Sequence, residues 1–515
     1  MPPSTPLQFN ARSAAILAAC AGAAFLSACT SVGPNYTPPA TQTPDAFTGA
    51  GDTASVAVQP LSPGELATWW SRMGDPVLDG LMQRAITKNH DLRAALERVR
   101  EARALRGVAS SAELPTVDTQ GSVSRSRNSD TLGMPGAVGD QNHFEAGLDA
   151  SWEIDVWGAV RRGVQAADAD LSAAEDSRNA VMVTVTAEVA RNYVELRMAQ
   201  MRQAIVERGV ATQRDTVDLV RTRLNAGLGT QLELAQAQAQ LASRESQKPL
   251  LIIAERAATN RLAVLLGQYP GELQSELNAP ANLPTFEGVV ALGLPSELLR
   301  RRPDIRAAER RIAAASARIG VATADLFPRF SLTGSFGFRS EELNTFPEMR
   351  SRFWDIGPSV RWNLFDNGRI RQNIEAANAR ERQAFLAYEQ TVLTSFEEVE
   401  NALVNIAQQQ DRWDALTRSI QANQEAVGLS QERYRSGVSE FLNVLESQRQ
   451  LYDAEDAAAQ SQGALLTSMV ALYKSLGGGW PEPAPDGFAP RAAAPSAEPA
   501  PATGPAPEPA PVPQG

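Results

Sequence analysis

At 515 residues the chain is long enough for one large core or several small ones. It carries a net charge of -11 and is 43% hydrophobic but only 6% aromatic, a balance that suits long helices packed side by side. The acidic excess excludes a nucleic-acid surface, which needs a basic face. Two histidines, His90 and His143, and two cysteines exclude a His/Cys metal cluster and a disulfide framework, and no cofactor motif is present.

The N-terminus reads as an export signal over residues 1–28. Arg12 precedes an apolar run from Ala14 to Leu26, too short to span a bilayer and of the length of a signal-peptide core. The run closes on Leu26-Ser27-Ala28-Cys29, which resembles the lipobox of bacterial lipoproteins, where the cysteine is acylated and becomes the new N-terminus. Leu17-Ala18-Ala19-Cys20 also fits, but cleavage there leaves a very short apolar core, so Cys29 is the expected lipidation site. An ordinary secretory signal with incidental cysteines is the alternative. The Thr/Pro-rich stretch that follows favours lipidation, because an anchored domain needs such a tether, here residues 29–60. Thr30, rather than Asp, after the cysteine points by analogy to the outer membrane.

Residues 61–268 form a first unit. Asp75-Pro76 opens a helix with Val77, Leu78, Leu81, Ala85 and Ile86 on one face; Asn89 breaks it, and Asp91 is expected to cap a second helix to about Ser110. Thr116 to Arg127 is the first candidate strand, with Val117, Thr119, Gly121 and Val123 on one side. The loop from Asn128 to Gln141 holds Gly133, Gly136 and Gly139; no helix opens behind it, so a turn is expected rather than a phosphate cradle. Phe144 to Trp152 alternates as a second strand. From Gly158 to Asn225 runs a helix of roughly 100 Å at 1.5 Å per residue. Asn225-Ala226-Gly227 ends it, and Thr230 restarts an antiparallel helix to Leu266 with Pro249 as the expected kink. Residues 269–295 are a Pro- and Gly-punctuated link.

Residues 296–478 repeat this order: helix from Pro295 to about Ala324, strand from Arg329 to Arg339, strand from Phe353 to Phe365, long helix from Gly368 to Ser436, return helix to Leu476. Trp152 and Trp362, Gly158 and Gly368, Arg161 and Arg371 stand 210 positions apart, whereas Asp91 and Asp304, Pro115 and Pro328, Gly121 and Gly334 stand 213 apart. A three-residue gap in the hairpin loop reconciles the two frames, and matched Trp, Gly and Pro mark an internal duplication. Residues 479–515 collapse to Pro and Ala, with 12 of the 33 prolines after Trp480, and are expected to be disordered.

Each copy supplies one strand pair, giving four strands of about ten residues, the length that crosses a membrane when tilted. An open sheet cannot sit in lipid, because each unpaired backbone group at its edges costs several kcal/mol. Closure must come from further copies of the chain. Eight strands give a barrel filled by its own side chains, so a conducting pore needs at least three chains and ~12 strands. A soluble sandwich of hairpins on a coiled-coil stalk is the alternative; the signal, the acylation site and the aromatic strand faces favour a membrane.

Five motifs then converge: Trp69-Trp70 with Asp75-Pro76-Val77-Leu78; Arg301-Arg302-Pro303-Asp304-Ile305; Ser151 to Gly158, SWEIDVWG; Leu364-Phe365-Asp366-Asn367-Gly368-Arg369; and Arg433-Tyr434-Arg435-Ser436-Gly437. Together they make the chain resemble the outer-membrane factors of the TolC/OprM/NodT type, lipoproteins of resistance-nodulation-division efflux systems, from Cys29 to Gly477. The resemblance implies a mainly α protein with a β membrane part. It would form a homotrimer whose 12-stranded β-barrel in the outer membrane continues as a 12-helix periplasmic tunnel. Its partners would be a periplasmic adaptor, an inner-membrane transporter and outer-membrane lipid. A type I secretion duct shares the fold. A structural or hydrolytic cell-envelope lipoprotein is the reading of another class, but neither His90 nor His143 has a Ser or Cys in a catalytic setting.

No chemistry is implied; the functional residues are those of a gate. Gly227 and Gly437 mark the two hairpin tips. Counted from Gly437, the family's constriction maps to Leu442, Asn443, Glu446 and Arg449, with Glu446 resembling the constriction acid and Asn443 standing where relatives carry a second acid. Three copies of Glu446 around an axis would attract cations. Tyr434 resembles a closed-state latch, with Glu233 as its partner.

Overall fold

The computed structural model describes residues 31–51, 56–57, 63–127, 140–286 and 290–481. The signal, Cys20, Cys29, the glycine loop with Gly133, Gly136 and Gly139, and the tail beyond Pro481 lie outside the described residues. Four strands, β1 (Thr116–Arg127), β2 (Asp140–Ile154), β3 (Arg329–Ser340) and β4 (Arg352–Arg361), form one antiparallel sheet in the order β1-β2-β3-β4. α1 (Pro76–Lys88) and α2 (His90–Ser111) precede it. After β2 come α3 (Ala159–Asn225), α4 (Gln231–Glu245) and α5 (Gln247–Leu265). The second half adds α6 (Pro295–Arg301), α7 (Pro303–Ala324), α8 (Arg369–Arg435) and α9 (Phe441–Ser475). The long helices α3 and α8 have the same length, 67 residues, and start 210 positions apart.

The register sorts the sheet into two faces. Val117, Leu148, Trp152, Phe330, Leu332, Phe336, Ile356 and Val360 fall on one side, because cross-strand partners such as Leu148 and Phe336, or Phe336 and Trp354, share a face. Asp118, Glu145, Asp149, Ser335 and Arg361 fall on the other. The apolar side is bare, Trp354 being 71% and Val123 77% exposed. Such a face belongs against lipid. Both outer edges, on β1 and β4, have no strand beside them among the described residues. At the glycine pair Gly147–Gly337, a Cβ on Gly337 would lie 2.4 Å from the Ala146 carbonyl oxygen. The Phe353 ring lies beside this pair and carries the Arg339 guanidinium 4.6 Å from its centroid.

Below the sheet the duplication reaches individual hydrogen bonds. The indole Nε1–H of Trp152 donates to the Glu113 carbonyl, and that of Trp362 to the Leu326 carbonyl, both at 3.0 Å. The amide of Asn89 donates to the Leu265 carbonyl at 2.8 Å, and at the equivalent place Arg302 donates to the Ser475 carbonyl at 3.0 Å. Arg302 also grips Asp304 with two nitrogens and Glu398 at 2.6 Å, which ties the junction between the end of α6 and the start of α7 to α8 and α9. Around this seam the main core gathers Trp69, stacked on Tyr473 at 5.2 Å, with Leu78, Leu81, Met82, Tyr193, Leu262 and Leu466. The Tyr193 hydroxyl donates to Asp75, whose other oxygen caps α1.

Several boundaries differ from the sequence expectation. Asn89, not Asp91, caps α2, its side chain accepting from the Leu92 N–H at 3.0 Å; one residue thus both ends α1 and starts α2. The break near Pro249 falls at Ser246, because a proline at 249 has no N–H for the Glu245 carbonyl and its ring crowds that turn. β4 stops at Arg361 rather than Phe365, since its partner strand begins only at Arg329, opposite Arg361. The largest correction concerns the tether. Residues 31–49 are not free but lie as a strap along α3, α7 and α8. Gly33 sits where a Cβ would be 2.4 Å from Gly320, Arg162 donates to the Val32 carbonyl and Asn35, and Tyr36 donates to Glu309 at 3.0 Å. The Thr48 and Gly49 N–H groups end on the Glu400 carboxylate. An extended Pro-rich segment makes few internal backbone hydrogen bonds, so most of its polar groups are available to the body it crosses.

Candidate functional site at the hairpin tips

Both hairpins turn in the same way. After α3 the N–H of Gly227 donates to Leu224 and that of Leu228 to Arg223; after α8 the N–H of Gly437 donates to Tyr434 and that of Val438 to Arg433. This is the 6→1, 5→2 pair that closes a helix on a left-handed residue. The glycines stand at φ 72° and 73°, and a Cβ at either would meet nothing within 4 Å, so backbone conformation alone requires glycine there.

Their return helices start differently. α4 opens with a capping box, the Thr230 hydroxyl accepting from the Glu233 N–H at 3.2 Å and the Glu233 carboxylate accepting from the Thr230 N–H at 2.7 Å. In the second copy Glu440 and Asn443 occupy these places. Glu440 makes no side-chain cap bond, and the Asn443 amide donates to the Ser439 hydroxyl at 3.0 Å. The first turn of α9 is held by packing instead: Phe441, 2% exposed, lies 5.3 Å from the Tyr434 ring and joins Val217, Val220, Leu234, Ala237 and Val444 in a small core between the hairpins.

With Phe441, Val444 and Gln448 turned inward, Leu442, Asn443, Glu446 and Arg449 share the open face of α9. Glu446 accepts from Arg449 and from Gln450, each at 2.9 Å, and the Arg449 bond holds its carboxyl below the usual range. Leu228, Leu232 and Val438 project bare from the tips.

The latch pair is not joined directly within one chain. The Tyr434 hydroxyl is buried without a hydrogen-bond partner, and the Glu233 carboxylate is committed to its capping box. Burial and then the charge of Glu233 push the Tyr434 phenol up. What holds the ring is Arg223, whose guanidinium lies 4.7 Å from its centroid, with further bonds to the Arg435 and Leu228 carbonyls. The sequence reading missed Arg223 in this role; its place two residues before the helix end, matched by Arg433, was the available signal.

Among the described residues no group of His, Cys, Asp and Glu could hold a metal ion, and no helix is long and apolar enough to cross a membrane. The family model of the outer membrane efflux protein matches residues 81–268 and 294–478. The chain belongs to the outer membrane efflux protein family. The two matched segments carry the two copies of the strand pair and long helix.

Similar proteins agree. The pyoverdine export outer membrane protein OpmQ of Pseudomonas aeruginosa is 36% identical over 81% of this chain and 88% of its own. Nodulation protein T of Rhizobium leguminosarum bv. trifolii is 30% identical over 88% and 96%. Among solved structures, the outer-membrane channel OprN superposes with a TM-score of 0.82 at 37% identity, over 88% of this chain and all of that one. The open state of the Neisseria gonorrhoeae MtrE channel gives 0.75 at 30% identity, over 88% and 99%. The efflux protein is thus an outer-membrane channel, with its helices as the periplasmic tunnel.

Proposed function

We propose that three copies of the efflux protein close one conduit, anchored through acylated Cys29, that receives small molecules from an inner-membrane resistance-nodulation-division transporter through a periplasmic adaptor. The supporting observation is the four-stranded sheet with one apolar face and two open edges. Three such sheets make a barrel of twelve strands, wide enough not to be filled by its own side chains. The bare Leu228, Leu232 and Val438 offer the adaptor an apolar tip, and Leu442, Asn443, Glu446 and Arg449 line the aperture. Relatives named for export of pyoverdine and toluene favour small cargo over secreted protein.

Light scattering on the mature protein in detergent is expected to give three protomer masses, and planar bilayers to show cation-preferring channels blocked by trivalent metal ions. Glu446→Ala is expected to weaken both the preference and the block. Because the Arg449 bond holds the Glu446 carboxyl below the ordinary carboxylate range, wild-type preference should persist on mild acidification and fade only at a pH below that at which an ordinary glutamate is protonated. A non-conducting monomer overturns the assembly; unchanged selectivity in Glu446→Ala removes Glu446 from the aperture.

A further inference from the structure

In a chain with an excess of acid, most arginines find a carboxylate. On α2, Arg100, Arg103 and Arg106 pair with Glu97, Glu175 and Asp168. Arg98 on the same helix, Arg178 on α3 and Arg311 on α7 do not: among the described residues none of the three pairs with an acid. They line one cavity of about 360 Å3 between α2, α3 and α7. Arg311 donates to the Ser177 hydroxyl at 3.2 Å and Arg178 to neighbouring Asn179 at 3.3 Å, while the Arg178 Nε is buried with no acceptor. The acid on the lining, Asp170, is already held by Arg318.

The strap tells which side of the wall the cavity opens on. It touches α3 at Arg162 and α7 at Gly320. Arg178 follows Arg162 by sixteen positions, about 160° around the helix, and Arg311 precedes Gly320 by nine, about 180°. The arginines therefore stand on the face turned away from the strap. The strap begins two residues after Cys29, whose acyl group must reach membrane lipid, and no lipid lies inside a conduit. The strap is thus on the outer wall and the arginines are on the bore.

We propose that Arg98, Arg178 and Arg311 form a collar inside the conduit that binds small carboxylate- or phosphate-bearing molecules in transit. This rests on the conduit reading above and adds a class of cargo. The cavity has the size of a small-molecule site, and a guanidinium is a permanently charged fork that matches an oxyanion. Three copies set a ring of positive charge around the bore, the arrangement by which pores favour anions. Arg178 lies about 30 Å along α3 from its start and about 70 Å from its end at the hairpin tip. That distance far exceeds the ~8–10 Å over which salt screens charge, so the acidic aperture at Glu446 leaves the collar's field intact.

Citrate and inorganic phosphate, added in turn to the full-length protein in planar bilayers, are the probes. Both are expected to block the wild-type channel, and Arg178→Gln with Arg311→Gln to raise the half-blocking concentration about tenfold or more. Arg98→Gln should raise it less, since Arg98 is exposed at the rim. Asp170→Asn releases Arg318 and should lower it, whereas Arg106→Gln, whose partner is Asp168, should leave it unchanged. Block by citrate alone confines the cargo to carboxylates, and block by phosphate alone confines it to phosphates. No block of the wild type, or equal block of wild type and double variant, overturns the collar. Calorimetric titration of citrate and of phosphate into the detergent-solubilised protein reads the site without conduction. Binding lost in the double variant supports the collar even where no current is seen, a result that would overturn the conduit reading alone; no binding of either probe to the wild type overturns the collar.

Discussion

Replacing Arg302 with alanine probes the joint that holds the second repeat to its own end. Arg302 is 7% exposed and serves three acceptors: the Asp304 carboxylate, the Glu398 carboxylate and the Ser475 carbonyl. Loss of the donor to Ser475, a residue 2% exposed, leaves a buried carbonyl unpaired at about 1–3 kcal/mol. The two carboxylate side chains are 38% and 43% exposed, so water takes over much of their charge and each lost pair costs only about 0.5–1 kcal/mol. The sum is a loss of about 2–5 kcal/mol. Arg302→Lys, which can reach one acceptor but lacks the fork, should fall between. Guanidinium unfolding followed by helical circular dichroism, compared at equal slope, reads the difference as a midpoint shift. A loss within the ~0.5 kcal/mol typical of surface substitutions would refute this account of the joint.

At the tips, Arg223→Ala removes the cation over the Tyr434 ring, an interaction of about 0.5–1 kcal/mol, and is expected to raise channel open probability in planar bilayers. Tyr434→Phe keeps the ring and deletes a hydroxyl without a partner, so its effect should be smaller; the opposite order would return the latch to the hydroxyl. In the sheet, Gly337→Ala forces a Cβ into the Ala146 carbonyl and should abolish heat-modifiable assembly on gels. Gly334→Ala, with its nearest neighbour at 3.5 Å, should assemble normally. Equal behaviour of the two would mean that the close approach at Gly337 is not needed for closure.

Much of this protein was legible in the chain because its information is local and doubled. Alternation in Thr116–Arg127 gave a strand with unchanged ends, and the frames of 210 and 213 residues survived down to the indole bonds of Trp152 and Trp362. The hairpin glycines were readable because a left-handed helix end needs glycine whatever surrounds it. Boundaries set by a distant partner were not readable: β4 ends where β3 begins, and no residue in Trp362–Phe365 announces that.

The same division holds at the candidate site. Sequence alone determined the repeat, the strand periodicity and the turn positions, since each follows from the backbone preferences of neighbouring residues. Tertiary structure decided that the Thr/Pro-rich segment is a strap, because only folding brings Gly320, Arg162 and Glu400 beneath it. It also decided that Arg223 rather than Glu233 holds Tyr434: a carboxylate three residues into a helix closes a capping box locally, whereas the cation reaches the ring only once α3 and α8 lie side by side.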